Sequence, residues 1–141
     1  MSIRTFTRVT VVFAIAAAFS IAFADDGAKG AKIQFTESIY DFGTVAQGTP
    51  VKHVFKFKNV GSDTLRIEQV KTSCGCTAAW ESSKIIPPDK EGQIEVTFNT
   101  ASQLGKASKT VYVVSNDVEM KQRSVKVTGT VEAKKVEAEK K

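Results

Sequence analysis

Both cysteines of the chain lie within three residues of each other, in Thr72-Ser73-Cys74-Gly75-Cys76-Thr77. Two thiols at this spacing can close a disulfide if their α carbons come within about 4.4–6.8 Å, which requires the chain to bend between them. Gly75 is expected to shape that bend, because it lacks the β carbon that penalises positive φ. The ring so closed is small and restrains the unfolded chain little, by about 1–2 kcal/mol against about 3 kcal/mol for a fifteen-residue loop. A Cys74–Cys76 bridge is therefore expected to be strained and a weak staple. Strained, accessible disulfides carry the higher reduction potentials of labile or exchanging bonds. Two readings stand side by side: a local disulfide that shapes a loop, and a redox-active pair.

Metal binding is a third use of the same thiols. Zinc normally takes four ligands, and only Cys74, Cys76 and His53, the single histidine, are obvious donors. Copper(I) accepts two thiolates, but Met1 and Met120 are the only methionines and form no cluster. No cofactor is expected. His53 falls in phase with Val51, Phe55 and Phe57, which reads first as a histidine at the margin of a core and second as a ligand. Trp80, four residues after Cys76, reads as a core or rim aromatic, or as a cover for the bridge.

Other catalytic routes find little support. There is no second histidine for a relay, no nucleophile elbow and no phosphate-cradling glycine loop. A thiol oxidoreductase typically presents Cys-x-x-Cys at a helix start, where the dipole favours the thiolate, whereas this pair follows a strand-like segment. A non-enzymatic protein is expected.

The chain begins with an export-like segment. Arg4 and Arg8 precede a charge-free run from Val9 to Ala24, and Ala22-Phe23-Ala24 fits a small-x-small cleavage site before Asp25. The run is shorter than the about 20 apolar residues of a spanning helix, and no second one follows. Residues 1–24 are thus read as a signal peptide, with a periplasmic or secreted, soluble product. Removing 24 of 141 residues leaves 117, enough for one domain. The segment holds two of the 20 basic residues and none of the 15 acidic ones, so the net charge falls from +5 to +3. That is too mild to imply nucleic acid, and no aromatic-rich basic patch accompanies it. Export would place the thiols in an oxidising compartment.

Residues 25–32 read as a flexible leader around Gly27 and Gly30. Thereafter the apolar period is two. Ile33 and Phe35 alternate with polar neighbours, and Tyr40 and Phe42 run to a turn at Gly43. Val51, His53, Phe55 and Phe57 share one face, with Lys52, Lys56 and Lys58 on the solvated other. Leu65 and Ile67 are in phase and Val70 is not, which predicts a bulge near Glu68. Pro87-Pro88 excludes a central strand at Ile85-Ile86. Ile94, Val96 and Phe98 alternate, Val111 to Val114 are apolar on both faces, and Val125, Val127, Gly129 and Val131 close the domain. About seven short strands without a convincing helix predict an all-β, immunoglobulin-like antiparallel β-sandwich over residues 33–131. Residues 132–141 form a charged tail.

These residues match a family. The chain resembles the bacterial domain of unknown function 1573 family (DUF1573) through Tyr40-Asp41-Phe42-Gly43-Thr44-Val45, Val51 to Asn59, Ser73-Cys74-Gly75-Cys76-Thr77 and Gly92 to Phe98. The resemblance implies an immunoglobulin-type sandwich related to the modules of centrosome- and cilium-associated proteins and of major sperm protein, which act mainly by binding other proteins. Pro88-Asp89 departs from the family's usual proline-glycine and leaves the turn type open. The combined expectation is an exported, non-enzymatic module that binds an unidentified protein or cell-envelope partner through a loop or sheet edge. The alternative is a thiol-disulfide exchange or copper-handling protein using Cys74 and Cys76.

Overall fold

The computed structural model describes residues 29–135. The expected signal peptide, most of the expected leader and the end of the charged tail lie outside them. Nine strands follow in order: β1 (Ile33–Phe35), β2 (Ile39–Ala46), β3 (Val51–Asn59), β4 (Leu65–Thr72), β5 (Thr77–Glu81), β6 (Ile85–Ile86), β7 (Glu91–Phe98), β8 (Gly105–Ser115) and β9 (Gln122–Glu132). They form a four-stranded sheet in the order β1-β3-β7-β5 and a five-stranded sheet in the order β2-β9-β8-β4-β6. No helix occurs among the described residues, and the two sheets pack as a sandwich.

The period-two pattern explains the packing. Val51, Phe55 and Phe57 of β3 and Ile94, Val96 and Phe98 of β7 meet Leu65, Ile67, Val111, Val113, Val125 and Val127 of the other sheet in one buried cluster. Lys52, Lys56 and Lys58 point to solvent, as their alternation predicts. The slip near Glu68 is a register shift between Ile67 and Gln69 in the pairing of β4 with β8. Ile85-Ile86 pairs only with Leu65 and Arg66 at the sheet's margin, as the following prolines require.

The structure corrects four details. The expected seven strands become nine, the surplus being short pieces such as β1 and β6. One pairing is parallel, that of β2 with β9, so the sandwich is not wholly antiparallel. Gly43 makes no turn: it sits at φ 68° inside the register shift between Asp41 and Thr44, with its N–H donated to Asp41 Oδ1 at 2.8 Å. The glycine-bearing leader is not free where it is described, since Ala31 is buried, and Gly30 O accepts the N–H groups of Ser62 and Asp63. Strand β8 lies between β9 and β4, and its outer residues Tyr112 and Val114 are half-buried, since among the described residues no further layer covers that face.

Two buried polar residues tie one end of the sandwich together. Asn59 donates from Nδ2 to Asp63 O (2.8 Å) and Ile86 O (2.9 Å), and its Oδ1 accepts from Gly61 N (3.0 Å) and Lys32 N (3.3 Å). Asp117 accepts from Glu119 N (2.8 Å), Met120 N (3.0 Å), Ile33 N (3.0 Å) and Arg123 Nη2 (3.2 Å). Burial pushes the Asp117 pKa up, yet the backbone donors of Met120, Ile33 and Glu119 and the Arg123 guanidinium outweigh it, and the net shift is downward. Nearby, Asp89 takes φ 63°, the left-handed conformation suited to the glycine that the resemblance leads one to expect there.

Two predictions follow from this end. A carboxyl whose pKa is lowered on folding stabilises fully above its unfolded value, and the stabilisation is lost as pH falls through the lower, folded value. The thermal midpoint should hold steady from pH 7 to about 5 and fall below about 4. Asp117→Asn should lower the midpoint by about 5–10 °C at pH 7 and flatten that acid limb, measured by calorimetry. At Asp89 the Lys58 ammonium lies 3.2 Å away, but both side chains are exposed, so losing that pair costs little. Asp89→Gly should leave stability unchanged or raise it by up to about 1 kcal/mol, whereas Asp89→Val should lower it by about 1–2 kcal/mol in denaturant titration.

Candidate functional site

The Cys-Gly-Cys stretch is the place where the chain changes sheets. Strand β4 ends at Thr72 in the five-stranded sheet, and β5 begins at Thr77 at the edge of the four-stranded one. Cys74 and Cys76 are joined by a disulfide, with α carbons 5.4 Å apart. Hydrogen bonds to both sheets hold the turn as well. On the β4 side, Ser73 N donates to Thr110 O (2.9 Å) while Ser73 Oγ accepts from Thr110 N (3.1 Å). On the β5 side, Cys76 O accepts from Asn99 N (2.8 Å). Within the turn, Cys74 O accepts from Thr72 Oγ1 (3.0 Å) and Thr77 N (3.3 Å).

Gly75 does not make the bend in the expected way. It is exposed, it does not occupy the left-handed region, and a β carbon there would meet nothing within 4 Å. The placement of the two flanking strands in different sheets brings the cysteines together, not glycine's conformational freedom.

The two sulfurs differ in surroundings. Both residues are half-buried, but Cys76 packs against the core cluster and Cys74 does not. Thr77, itself buried, sets its Oγ1 3.7 Å from Cys74 Sγ and 4.0 Å from Cys76 Sγ. Among the described residues this hydroxyl has no other hydrogen-bond partner. Sequence reasoning passed over Thr77, because a threonine that opens a strand gives no sign of facing two sulfurs.

His53 is engaged elsewhere. Its ring stacks on Tyr40 at 3.7 Å between centroids, meets Phe55 edge-on at 4.7 Å, and places Nε2 2.6 Å from Glu37 Oε1. Tyr40 belongs to β2 and His53 to β3, so the stack closes one flank between the sheets. Among the described residues no three of His, Cys, Asp and Glu gather where they could hold a metal ion. The candidate set of Cys74, Cys76 and His53 is thus not assembled: the thiols are joined to each other and the imidazole is held by Glu37. His53 is the core-margin histidine that its phase predicts.

The strand that leaves the bridge is open on one side. Among the described residues strand β5 pairs with β7 alone, with Thr77 opposite Phe98 and Trp80 opposite Glu95. Asn99 N donates to Cys76 O and Ser82 N to Gln93 O. By the alternation of an antiparallel pair, the backbone groups of Ala78 and Trp80 then face β7, and those of Ala79 and Glu81 face outward. Trp80 is on the rim rather than in the core, 49 % exposed on the sheet's outer face. Val54, 37 % exposed, lies beyond Glu95 in the same row.

A cleft of about 570 Å³ lies at the opposite end of the sandwich among Phe35, Val60, Met120 and charged neighbours. Its charges satisfy one another, with Lys32 bonded to Glu119 (2.6 Å) and Arg123 to Asp117 (3.2 Å) and Glu119 (3.6 Å). That arrangement ties strands together, while among the described residues Arg123 Nε is buried without a hydrogen-bond partner.

Comparison with known proteins supports the architecture. The chain is similar to a protein of unknown function from Porphyromonas gingivalis W83 (TM-score 0.65, 20 % identity, 76 % of this chain and 50 % of that one). It is also similar to the ASH/PapD-like domain 7 of human CEP192 (TM-score 0.59, 10 % identity, 95 % and 99 %) and to the VesB protease of Vibrio cholerae (TM-score 0.60, 10 % identity, 70 % and 32 %). The chain thus spans about half of the first of these structures and about a third of the protease. At such identities the likeness shows a shared fold, immunoglobulin- and PapD-like. No curated protein matches the sequence. The model of the family described as "Protein of unknown function (DUF1573)" matches residues 33–131, and the chain belongs to that family.

Proposed function

We propose that the chain is an exported, non-enzymatic module that binds a protein partner by accepting an extended segment of it along β5. The observation that carries this reading is an unguarded edge. Native sheets protect their edges with short strands, bulges, proline or lysine. Here β1 spans three residues, β6 two with prolines behind them, and β2 is bulged at Phe42-Gly43. The outer side of β4 beyond Arg66 is bulged as well and carries Glu68 and Lys71. Strand β5, Thr77-Ala78-Ala79-Trp80-Glu81, has none of these devices except Glu81, whose carboxylate lies 3.6 Å from Lys84 Nζ.

An added strand would find outward backbone groups at Ala79 and Glu81 and a half-exposed tryptophan beside them. Main-chain pairing then supplies affinity, and Trp80 supplies the aromatic anchor over which binding energy concentrates. Export rests on the apolar run Val9 to Ala24 before Ala22-Phe23-Ala24 and Asp25, and no helix among the described residues is long and apolar enough to cross a membrane. Ser73 bonded to Thr110 and Cys76 O bonded to Asn99 N fix the start of β5, and this reading asks no chemistry of the disulfide.

A photo-crosslinking residue at Ala78, compared with one at Thr44 on β2, tests the proposal in cell-envelope extract. Crosslinks should form from position 78 and not from position 44. Trp80→Ala should weaken capture about thirtyfold, the size of a hot-spot loss of about 2 kcal/mol. Ala79→Pro, which removes an outward donor, should abolish it, with circular dichroism verifying that each variant stays folded. Equal crosslinking from both edges, or capture indifferent to both substitutions, would overturn the assignment of β5.

A further inference from the structure

The disulfide is built as though it were meant to open, and this inference stands apart from the strand-addition reading. We propose that the Cys74–Cys76 disulfide is passed to the dithiol of another protein, with Cys74 as the sulfur that meets the incoming thiolate and Cys76 as the sulfur that leaves.

Three observations carry it. First, the bond is not what holds the turn. Ser73 is bonded twice to Thr110 and Cys76 O to Asn99 N, so the cysteines remain face to face after reduction. Closing so short a loop also does little to stabilise the fold, hence reduction is only weakly opposed by stability. Second, the sulfurs are unequal: Cys76 is packed on the core and Cys74 is not. Third, among the described residues the buried Thr77 hydroxyl has only the two sulfurs as partners. A disulfide sulfur is a poor acceptor and a thiolate a strong one, so this hydrogen bond is worth most once the bond has broken. A group that stabilises the reduced form makes the disulfide a better oxidant, as in proteins whose dithiol state is favoured.

The transfer balances without a further reagent. A partner thiolate bonds to Cys74 Sγ, the sulfur–sulfur bond breaks, and its electron pair departs on Cys76 Sγ, which accepts the Thr77 hydrogen bond. The partner's second thiolate then attacks its own sulfur in the mixed disulfide and expels the Cys74 thiolate. The two protons lost by the partner's thiols are taken up by Cys74 and Cys76. The partner ends as a disulfide and this chain as a dithiol, two electrons having moved between them.

The experiment mixes the oxidised full chain with a reduced Cys-x-x-Cys peptide and follows both by mass spectrometry after acid quenching. The peptide should lose two hydrogens as the chain gains two. The double variant Cys74→Ser with Cys76→Ser should be inert while keeping its thermal midpoint within about 10 °C. With oxidised glutathione, Cys76→Ser should form a mixed disulfide at Cys74 at least about tenfold faster than Cys74→Ser forms one at Cys76, the burden of packing. Thr77→Val should slow peptide oxidation about tenfold at an unchanged midpoint, and Thr77→Ser should restore the rate. Failure of the chain to gain hydrogens under excess peptide would overturn the proposal. Equal trapping at the two cysteines would overturn the division of roles, and indifference to Thr77→Val would remove the hydroxyl from it.

Discussion

The mutual burial of two inner sheet faces is the constraint from which the rest follows. Phe55, Phe57 and Phe98 on one face and Leu65, Val111, Val113, Val125 and Val127 on the other are all essentially inaccessible to water. Each such side chain contributes about 1.5–3 kcal/mol by leaving solvent. A cross-link between residues two apart contributes about 1–2 kcal/mol in total. The fold therefore depends on its alternating strands and not on sulfur. Facing sheets also oblige the chain to cross between them, and one crossing, from β4 to β5, is where the two cysteines meet.

The ends of the sandwich are built differently. At one, Asn59 and Asp117 are buried polar residues with their hydrogen-bonding groups engaged by the segment before β1, the β3–β4 connection, β6 and the β8–β9 connection. Buried polar groups so placed are costly unless every bond is made, which gives that end a single arrangement. At the other end a short turn is held by three backbone-directed bonds and a small-ring disulfide. The Cys74–Cys76 disulfide thus sits at the end of the sandwich away from the polar clamps of Asn59 and Asp117.

Edges supply the second asymmetry. On the far flank the stack of Tyr40 on His53, secured by Glu37, spans from β2 to β3 and covers apolar surface between the sheets. Among the described residues the near flank, where β4 and β5 part, has no such cover beyond the two residues of β6. Trp80, on the outer face of β5, is 49 % exposed there.

Much of this was legible in the residue order. The faces of β3, the slip near Glu68 and the marginal place of Ile85-Ile86 all follow from spacing within a few residues, because side-chain direction along a strand and the demands of proline are local; the turn type at Asp89 stays open in the residue order. The family, too, was readable from motifs in order. What only the tertiary structure decided is which distant groups meet. The parallel pairing of β2 with β9, the carboxylate of Asp117 on the N–H of Ile33 and Glu37 on His53 depend on how the sheets pack. So does the bend at Gly75, which comes from the strands on either side of it. Alternation states which face is buried; only the packed sheets determine what it is buried against.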